Sequence, residues 1–222
     1  MSGTPDFTII GGGISGLLTA RELIEHGASV TIVDRSKFGK ESSWAGSGIL
    51  LPIYPWRQDQ SITRLVIESL KIYPGVIQEI YAMTGIDPEW IACGLLITQN
   101  PDIKDALDWC EANRITYFTP APSLLTDIQT QPTNPLWLPD IAQVRNPRLL
   151  KALRKYLESR QVAFVEDNQL QNIEIKAKHI HSISTSSGKF PVNHLILATG
   201  AWSGEIWNRR KNGEIYPQWQ NI

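Results

Sequence analysis

Three glycines near the start of the chain have the spacing of a diphosphate-binding turn. Gly11, Gly13 and Gly16 form a G-x-G-x-x-G pattern directly after the apolar run Phe7-Thr8-Ile9-Ile10. In such a turn the first glycine permits the sharp bend, the second lets a diphosphate approach the backbone, and the third lets a helix pack closely on a strand. The helix N-terminus adds free N–H groups and a partial positive charge. The pattern therefore predicts a site for the ADP half of a dinucleotide.

A carboxylate stands where the same kind of unit binds ribose. Asp34 follows the β-branched run Ser29–Val33, and a helical pattern over Ile14–His26 separates that run from the glycine turn. A carboxylate at the end of the second strand accepts hydrogen bonds from a ribose diol. For Asp34 alone, a simple turn role is the alternative. Because the same unit binds NAD or FAD, the other half of the ligand stays open at this point.

The rest of the chain predicts an α/β protein. The predicted helices span residues 14–26, 62–83 with a break near Pro74-Gly75, 102–113 and 147–159. The predicted strands span residues 7–10, 29–33, 94–98, 162–165, 170–175, 179–184 and 194–198. Residues 39–55 are predicted to form an ordered binding loop. The simplest organisation is a discontinuous nucleotide-binding domain of residues 1–51 and 146–222, with residues 52–145 inserted as part of a substrate domain.

Composition favours a small-molecule partner. The 222 residues include 21 Lys and Arg against 22 Asp and Glu, so no basic face for nucleic acid or an anionic membrane is expected. The start of the chain lacks the pattern of a signal peptide, which predicts a cytoplasmic location. Cys93 and Cys110 are expected to be buried, reduced thiols. His179 and His181 share a predicted strand face without a third nearby ligand, so no metal site is expected.

Three later segments carry a family resemblance. They are Glu41–Trp56 (ESSWAGSGILLPIYPW), Leu136–Val144 (LWLPDIAQV) and Leu195–Ser203 (LILATGAWS). In this order they resemble FAD-dependent amine oxidases of the D-amino-acid oxidase family, most of all its glycine oxidases of thiamine biosynthesis. The resemblance implies a Rossmann-type α/β FAD-binding domain with an inserted α+β substrate domain. It also implies C-terminal truncation, because family members extend beyond the equivalent of residue 222 and carry the substrate-carboxylate arginine there.

The resemblance also implies which residues bind FAD. Ile14 and Ser15 match positions at the diphosphate, Asp34 and Arg35 match positions at the adenosine ribose, and Ser42 and Ser43 lie on the phosphate side. Ser47, Gly48 and Ile49 would lie against the isoalloxazine ring. The backbone of Leu170 would meet adenine, and the turn of Ala198, Gly200 and Ala201 would close over the cofactor. For the three serines a solvated loop position is the alternative, and for the turn it is an ordinary strand end. With the turn glycines, the implied cofactor-binding set is Gly11, Gly13, Ile14, Ser15, Gly16, Asp34, Arg35, Ser42, Ser43, Ser47, Gly48, Ile49, Leu170, Ala198, Gly200 and Ala201.

The resemblance implies an oxidase of small amines. Such enzymes transfer a hydride from the amine-bearing carbon to the flavin, so the cofactor carries the chemistry and no acid–base residue is demanded. The expected reaction is oxidation of the C–N bond of glycine or another small amino acid or amine to an imine, with oxygen as acceptor. One alternative is a catalytically silent FAD-binding fragment. Another is an NAD-dependent dehydrogenase, which the Ser42–Trp56 segment disfavours. Uncovered apolar faces would also lead to homo-oligomers.

Overall fold

The computed structural model describes residues 3–177, 179–204 and 206. The chain divides into two compact units. The first comprises the described residues of Met1–Gly46 and Leu150–Ile222, and the second comprises Ser47–Leu149. The second unit begins earlier than the predicted residue 52, because the Leu50 N–H donates to the Ala142 carbonyl at 3.0 Å and the Val144 N–H donates to the Gly48 carbonyl at 2.9 Å.

The first unit is built on a parallel sheet of four short apolar strands. These strands are β1 (Phe7–Ile10), β2 (Val30–Val33), β5 (Ala163–Val165) and β9 (His194–Leu197), in the spatial order β5-β2-β1-β9. Phe7 pairs with both Val30 and His194, so β1, β2 and β9 run in register. Because parallel strands in register end at one edge, the residues that follow them meet there.

Two helices of the first unit supply apolar faces. Helix α1 (Ile14–Glu25) buries Gly16, Leu17 and Ala20, and the part of α5 (Asn146–Ser159) from Leu150 onward buries Leu153 and Leu157. These positions recur at helical spacing, as the sequence predicts. The buried Tyr156 hydroxyl donates to Glu25 Oε1 at 2.6 Å, which ties α5 to the last turn of α1.

An antiparallel sheet completes the first unit. It consists of β6 (Leu170–Lys176), β7 (His179–Thr185) and β8 (Gly188–Pro191), in that order. Four buried residues from the two sheets and the residue after β8 form one core cluster, namely Ile10, Val33, Ile173, Ile183 and Val192. Strand β8 is not predicted by its sequence, which is short and ends in proline. It forms because β7 offers it a partner, with Ile183 opposite Phe190.

The second unit has its own core. Its two short strands, β3 (Leu95–Ile97) and β4 (Leu136–Leu138), pair antiparallel. Its two long helices are α3 (Gln60–Thr84) and α4 (Ile103–Asn113). Buried side chains of β3, β4 and α4 pack together with one residue of the predicted binding loop and one that follows β4. The cluster consists of Leu51, Ile97, Ala106, Trp109, Cys110, Leu136, Leu138 and Ile141. A four-residue helix, α2 (Ser42–Ala45), lies in the first unit, within the stretch predicted as a loop.

Two expectations are wrong in the second unit. Helix α3 runs through Pro74 without the predicted break. Proline removes one backbone donor, but Asp59 caps the start of the helix by accepting from the Ser61 N–H at 2.8 Å, and Ile77 and Ile80 stay buried beyond the proline. Cys93 is exposed, and only Cys110 is buried as expected. Burial raises the pKa of the Cys110 thiol to about 11, which keeps it protonated.

Glu174 on β6 generates a prediction about acid stability. Hydrogen bonds from Lys189, Ser182 and Lys176 lower the pKa of Glu174 to about 2. A carboxyl whose pKa is lower in the folded chain stabilises the fold above its unfolded pKa, and this stabilisation is lost as pH falls toward the folded value. Glu174→Gln should therefore flatten the decline of Tm between pH of about 4.5 and about 2.

The check is Tm as a function of pH, by circular dichroism, for the unmodified chain and the variant. Ser182→Ala is the matched control, since it removes one donor, at 2.6 Å from Glu174 Oε2, and leaves the lysines in place. It should reduce the pH dependence of Tm without abolishing it. Identical acid limbs for the unmodified chain and Glu174→Gln would contradict the assignment.

Candidate nucleotide-binding site

A cavity of about 470 Å³ opens at the edge of the parallel sheet where β1, β2 and β9 end. It lies within the first unit. The residues of the implied cofactor-binding set that line it are Gly11, Gly13, Ile14, Ser15, Asp34, Arg35, Ser42, Ser43, Leu170, Ala198 and Gly200. Lining residues outside that set are Ile10, Lys37, Gly39, Lys40, Glu41, Gln169, Leu197, Thr199, Trp202, Ser203 and Ile206. Segments from both ends of the chain therefore share one cavity.

The three turn glycines meet different steric demands. Gly11 has φ +110°, and a Cβ there would lie 2.3 Å from the Ala198 carbonyl oxygen. At Gly16 a Cβ would lie 2.0 Å from the Gly11 carbonyl oxygen, so α1 could not pack so closely on the turn. Gly13 has room within the protein, because its added Cβ would meet only the Ser43 side chain, with Oγ at 3.0 Å. Gly13 also lines the cavity, so its missing side chain leaves space for a ligand.

Gly12 has a role that the motif does not predict. A Cβ at this position would lie 1.7 Å from Cδ1 of the buried Phe38. Phe38 is held edge-on to Phe164, with ring centroids 4.9 Å apart. The Gly12 carbonyl also accepts from the Gly39 N–H at 3.1 Å. In the sequence, only the presence of glycine at the variable position 12 of the motif hinted at this contact, because Phe38 and Phe164 lie far along the chain.

The Asp34 carboxylate is oriented by backbone groups. Its Oδ2 accepts from the Gly12 N–H at 2.7 Å, and its Oδ1 accepts from the Ser36 N–H at 2.9 Å and the Ser36 hydroxyl at 3.2 Å. The bond to Ser36 is the turn role that the sequence left as an alternative. A carboxylate oxygen has two lone pairs, so Oδ2 retains acceptor capacity toward the cavity that Asp34 lines. The turn bond and ribose binding are therefore compatible.

The N-terminus of α1 is capped by a residue distant in sequence. The N-cap residue Gly13 has no side chain, and the Ile14 N–H donates instead to Ser43 Oγ at 2.9 Å. An amide at a helix N-terminus is also the group that binds an anion. The Ser43 hydroxyl therefore lies beside the amides that the motif assigns to a phosphate, and its contact with a diphosphate stays a prediction.

The loop between β2 and α2 is fixed by Glu166. The Phe38 N–H donates to Glu166 Oε1 at 3.2 Å, Arg154 Nη1 to the same oxygen at 2.7 Å, and Lys37 Nζ to Oε2 at 3.3 Å. Burial acts to raise the pKa of Glu166, but these donated bonds outweigh burial and hold the pKa below its ordinary value. The carboxylate is thus ionised at neutral pH, and it anchors the loop that forms one wall of the cavity.

Charges in the lining suit a diphosphate. Arg35, Lys37 and Lys40 contribute three cations, against the carboxylates of Asp34 and Glu41. Two of these cations are paired, because Arg35 Nη2 lies 3.0 Å from Glu41 Oε1 and Lys37 Nζ lies 2.7 Å from Asp167 Oδ2. Lys40 adds a further positive charge to the lining. With the α1 N-terminus, the lining offers positive potential where the resemblance implies phosphate and a carboxylate where it implies ribose. The donor set therefore fits the ADP half of FAD.

The remaining residues of the implied set lie elsewhere. Gly16 and Ala201 belong to the first unit but are not among the described residues that line the cavity. Ser47, Gly48 and Ile49 belong to the second unit. There Gly48 has φ +81°, and a Cβ would lie 1.9 Å from the Val144 carbonyl oxygen, so a close backbone contact by itself requires glycine. Their contact with an isoalloxazine ring stays a prediction.

The second unit has an apolar groove of its own, of about 450 Å³. Its lining residues are Ile49, Leu50, Leu51, Pro52, Leu65, Val66, Ser69, Leu70 and Tyr73. Burial raises the pKa of Tyr73 to about 12, so its hydroxyl is neutral. Over the described residues, no group of three or more His, Cys, Asp or Glu side chains is arranged to hold a metal ion. Nor does any described helix combine the length and apolar character that a membrane span requires.

Known proteins are similar to this chain over nearly its whole length. A family model described as DAO, FAD dependent oxidoreductase, matches residues 6–219. Glycine oxidase of Pseudomonas aeruginosa is 34% identical over 207 residues, which cover 89% of this chain and 56% of that protein. The bifunctional protein ThiO/ThiG of Trichormus variabilis is 28% identical over 91% of this chain and 32% of its own. The chain thus spans about half the length of the glycine oxidase that it matches.

Solved structures share the fold. Glycine oxidase from Geobacillus kaustophilus matches with a TM-score of 0.82 at 21% identity, over 94% of this chain and 58% of that one. L-Amino acid deaminase from Proteus myxofaciens matches with a TM-score of 0.81 at 20% identity, over 97% and 49%. The predicted Rossmann-type α/β fold is confirmed, as is FAD as the cofactor that the family uses. By its sequence from residue 6 to residue 219, the chain belongs to the DAO family of FAD dependent oxidoreductases.

Proposed function

We propose that this chain binds FAD in the cavity of the first unit. The observation that carries the proposal is that one cavity is lined by Gly13, Asp34, Ser43, Leu170 and Ala198, which come from five separate segments of the chain. The amides at the start of α1 and the Ser43 hydroxyl bind the diphosphate. The Asp34 carboxylate accepts from the ribose, and the backbone at Leu170 borders the adenine.

We further propose that the reaction is oxidation of a C–N bond in glycine or another small amino acid or amine, with oxygen as the acceptor. Bound FAD supplies the hydride acceptor. The residues of this chain bind the cofactor and orient it, and no catalytic residue is assigned. Support comes from the relatives that are named glycine oxidase and are 34% and 33% identical to this chain.

Binding and turnover are separable parts of the proposal. The chain spans 56% of the length of each of these two relatives. Binding of FAD rests on residues described in the cavity, whereas turnover also needs a site for the substrate carboxylate. A protein that binds FAD without turnover is therefore the second candidate function. A cytoplasmic location and homo-oligomers stay predictions.

The space at Gly13 can be tested through FAD binding. Gly13→Ala should weaken FAD affinity by about tenfold or more, because the new methyl group takes the space left for the diphosphate. Its Tm without FAD should change little, since the Cβ meets only the flexible Ser43 side chain. Gly16→Ala is the matched control in the same turn. Its Cβ meets the Gly11 backbone at 2.0 Å, so it should lose about 1–3 kcal/mol of stability by overpacking.

FAD affinity is measured by quenching of flavin fluorescence, and stability by thermal unfolding without FAD. Gly13→Ala that binds FAD as tightly as the unmodified chain would refute the placement of the diphosphate. No FAD binding by the unmodified chain would refute the proposed function itself.

The second prediction concerns turnover. Glycine added without oxygen to the FAD-loaded chain should bleach the flavin absorbance bands, and readmitted oxygen should restore them with release of hydrogen peroxide. Sarcosine and D-amino acids are tested in parallel to define the substrate class. Bound flavin that none of these compounds bleaches would leave FAD binding as the function of this chain. Reduction of added NAD would instead favour a dehydrogenase.

A further inference from the structure

Two residues of the cavity lining form a bridge across the glycine turn. The guanidinium carbon of Arg35 lies 3.7 Å from the ring centroid of Trp202. Arg35 follows Asp34 just after β2, and Trp202 lies in the turn Gly200–Trp202 after β9. Strand β1 lies between β2 and β9 in the sheet. The stacked pair therefore spans the end of the strand that carries the glycine turn, and both residues line the cavity.

The stack gives the Arg35 side chain a second contact besides its ion pair with Glu41. The Arg35 side chain is 37% exposed, and its described polar partner is Glu41 Oε1, 3.0 Å from Nη2. A guanidinium stacks well on tryptophan because the contact is both planar and cation–π in character. The Trp202 ring lies against the guanidinium, and Glu41 Oε1 accepts from Nη2, one of the nitrogens that carry its five N–H donors. Since the pair lines the cavity, the donors not used by Glu41 are available to a ligand there.

We propose that Trp202 is a positioning residue for the adenosine half of the cofactor and acts through Arg35. The inference rests on the proposed FAD site and deepens it. The family resemblance implies that the turn containing Trp202 closes over the flavin, whereas the contact of its ring with Arg35 links it to the carboxylate end of β2. Loss of the ring would then release the Arg35 side chain, so the affinity for the ADP moiety itself would fall.

The test compares ADP with FAD, because ADP lacks the isoalloxazine ring. Affinities for both ligands are measured by isothermal titration calorimetry on the 222-residue chain. Trp202→Leu should lower the affinities for ADP and for FAD by the same factor, roughly fivefold. Trp202→Phe keeps an aromatic face and should restore most of that loss. Phe190→Leu is the matched control, since Phe190 is an aromatic residue of β8 in the same unit, is 37% exposed and is not among the described residues that line the cavity; both affinities should be unchanged.

Arg35→Lys is a second test of the same contact, to be used if Trp202→Leu folds poorly. It keeps the charge and loses the planar stack, so it should weaken ADP binding as Trp202→Leu does. The double variant should bind no more weakly than Arg35→Lys alone, because the stack that Trp202→Leu removes is already lost in Arg35→Lys.

Two outcomes overturn the inference while the proposed function stands. In one, Trp202→Leu weakens FAD and leaves ADP unchanged, which would place Trp202 at the flavin. In the other, Trp202→Phe binds as weakly as Trp202→Leu. Failure of the unmodified chain to bind either ligand would overturn the proposed function and this inference together.

Discussion

The in-register pairing of β1 with β2 and β9 is the constraint on which the site depends. The Gly11 N–H donates to the Val33 carbonyl at 2.8 Å, and the Ala198 N–H donates to the Ile10 carbonyl at 2.8 Å. These two bonds bring the chain that leaves each strand to the same edge. The Ala198 carbonyl then lies so close to Gly11 that no side chain fits between them. The glycine turn, the carboxylate after β2 and the turn after β9 meet because the register allows no other arrangement.

A second layer of contacts holds the cavity wall in place around that edge. The buried Phe38 fills the space left by Gly12, and Glu166 binds the backbone next to it. Arg154 joins the Glu166 carboxylate and lies 5.4 Å from the Phe38 ring centroid. Burial and charge thus work together, because the ionised carboxylate is compensated by donors and the ring is held by apolar neighbours. The wall is therefore preorganised for a ligand before one binds.

Backbone groups and side chains contribute at different ends of the site. In the proposed FAD site, the diphosphate end would depend on helix amides and missing Cβ atoms, so its chemistry would be mainly that of the backbone. The proposed ribose end would depend on Asp34, which Gly12 and Ser36 hold in one orientation. Cations supply long-range attraction in a chain whose formal net charge is only -1. Local arrangement of charge, and not its total, makes the cavity suitable for an anionic cofactor.

The sequence by itself determined the βαβ unit, the steric need for glycine at Gly11 and Gly16, and the place of Asp34 after β2. These features are local, because strand and helix periods and glycine spacing act over a few residues. Most helix bounds agree within one or two residues for the same reason. The sequence was misleading at Pro74, where burial of Ile77, Ile80 and Thr84 in the helix after the proline outweighs one missing backbone donor.

Only the tertiary structure decided which distant residues complete the site. The Ser43 cap on α1, the fit of Phe38 against Gly12, and the stack of Arg35 on Trp202 join segments far apart in sequence. No periodic pattern encodes such pairs, because each depends on the path of the chain between its members. Chain order and residue type therefore specified the kind of ligand, whereas strand register and side-chain packing decided which atoms surround it.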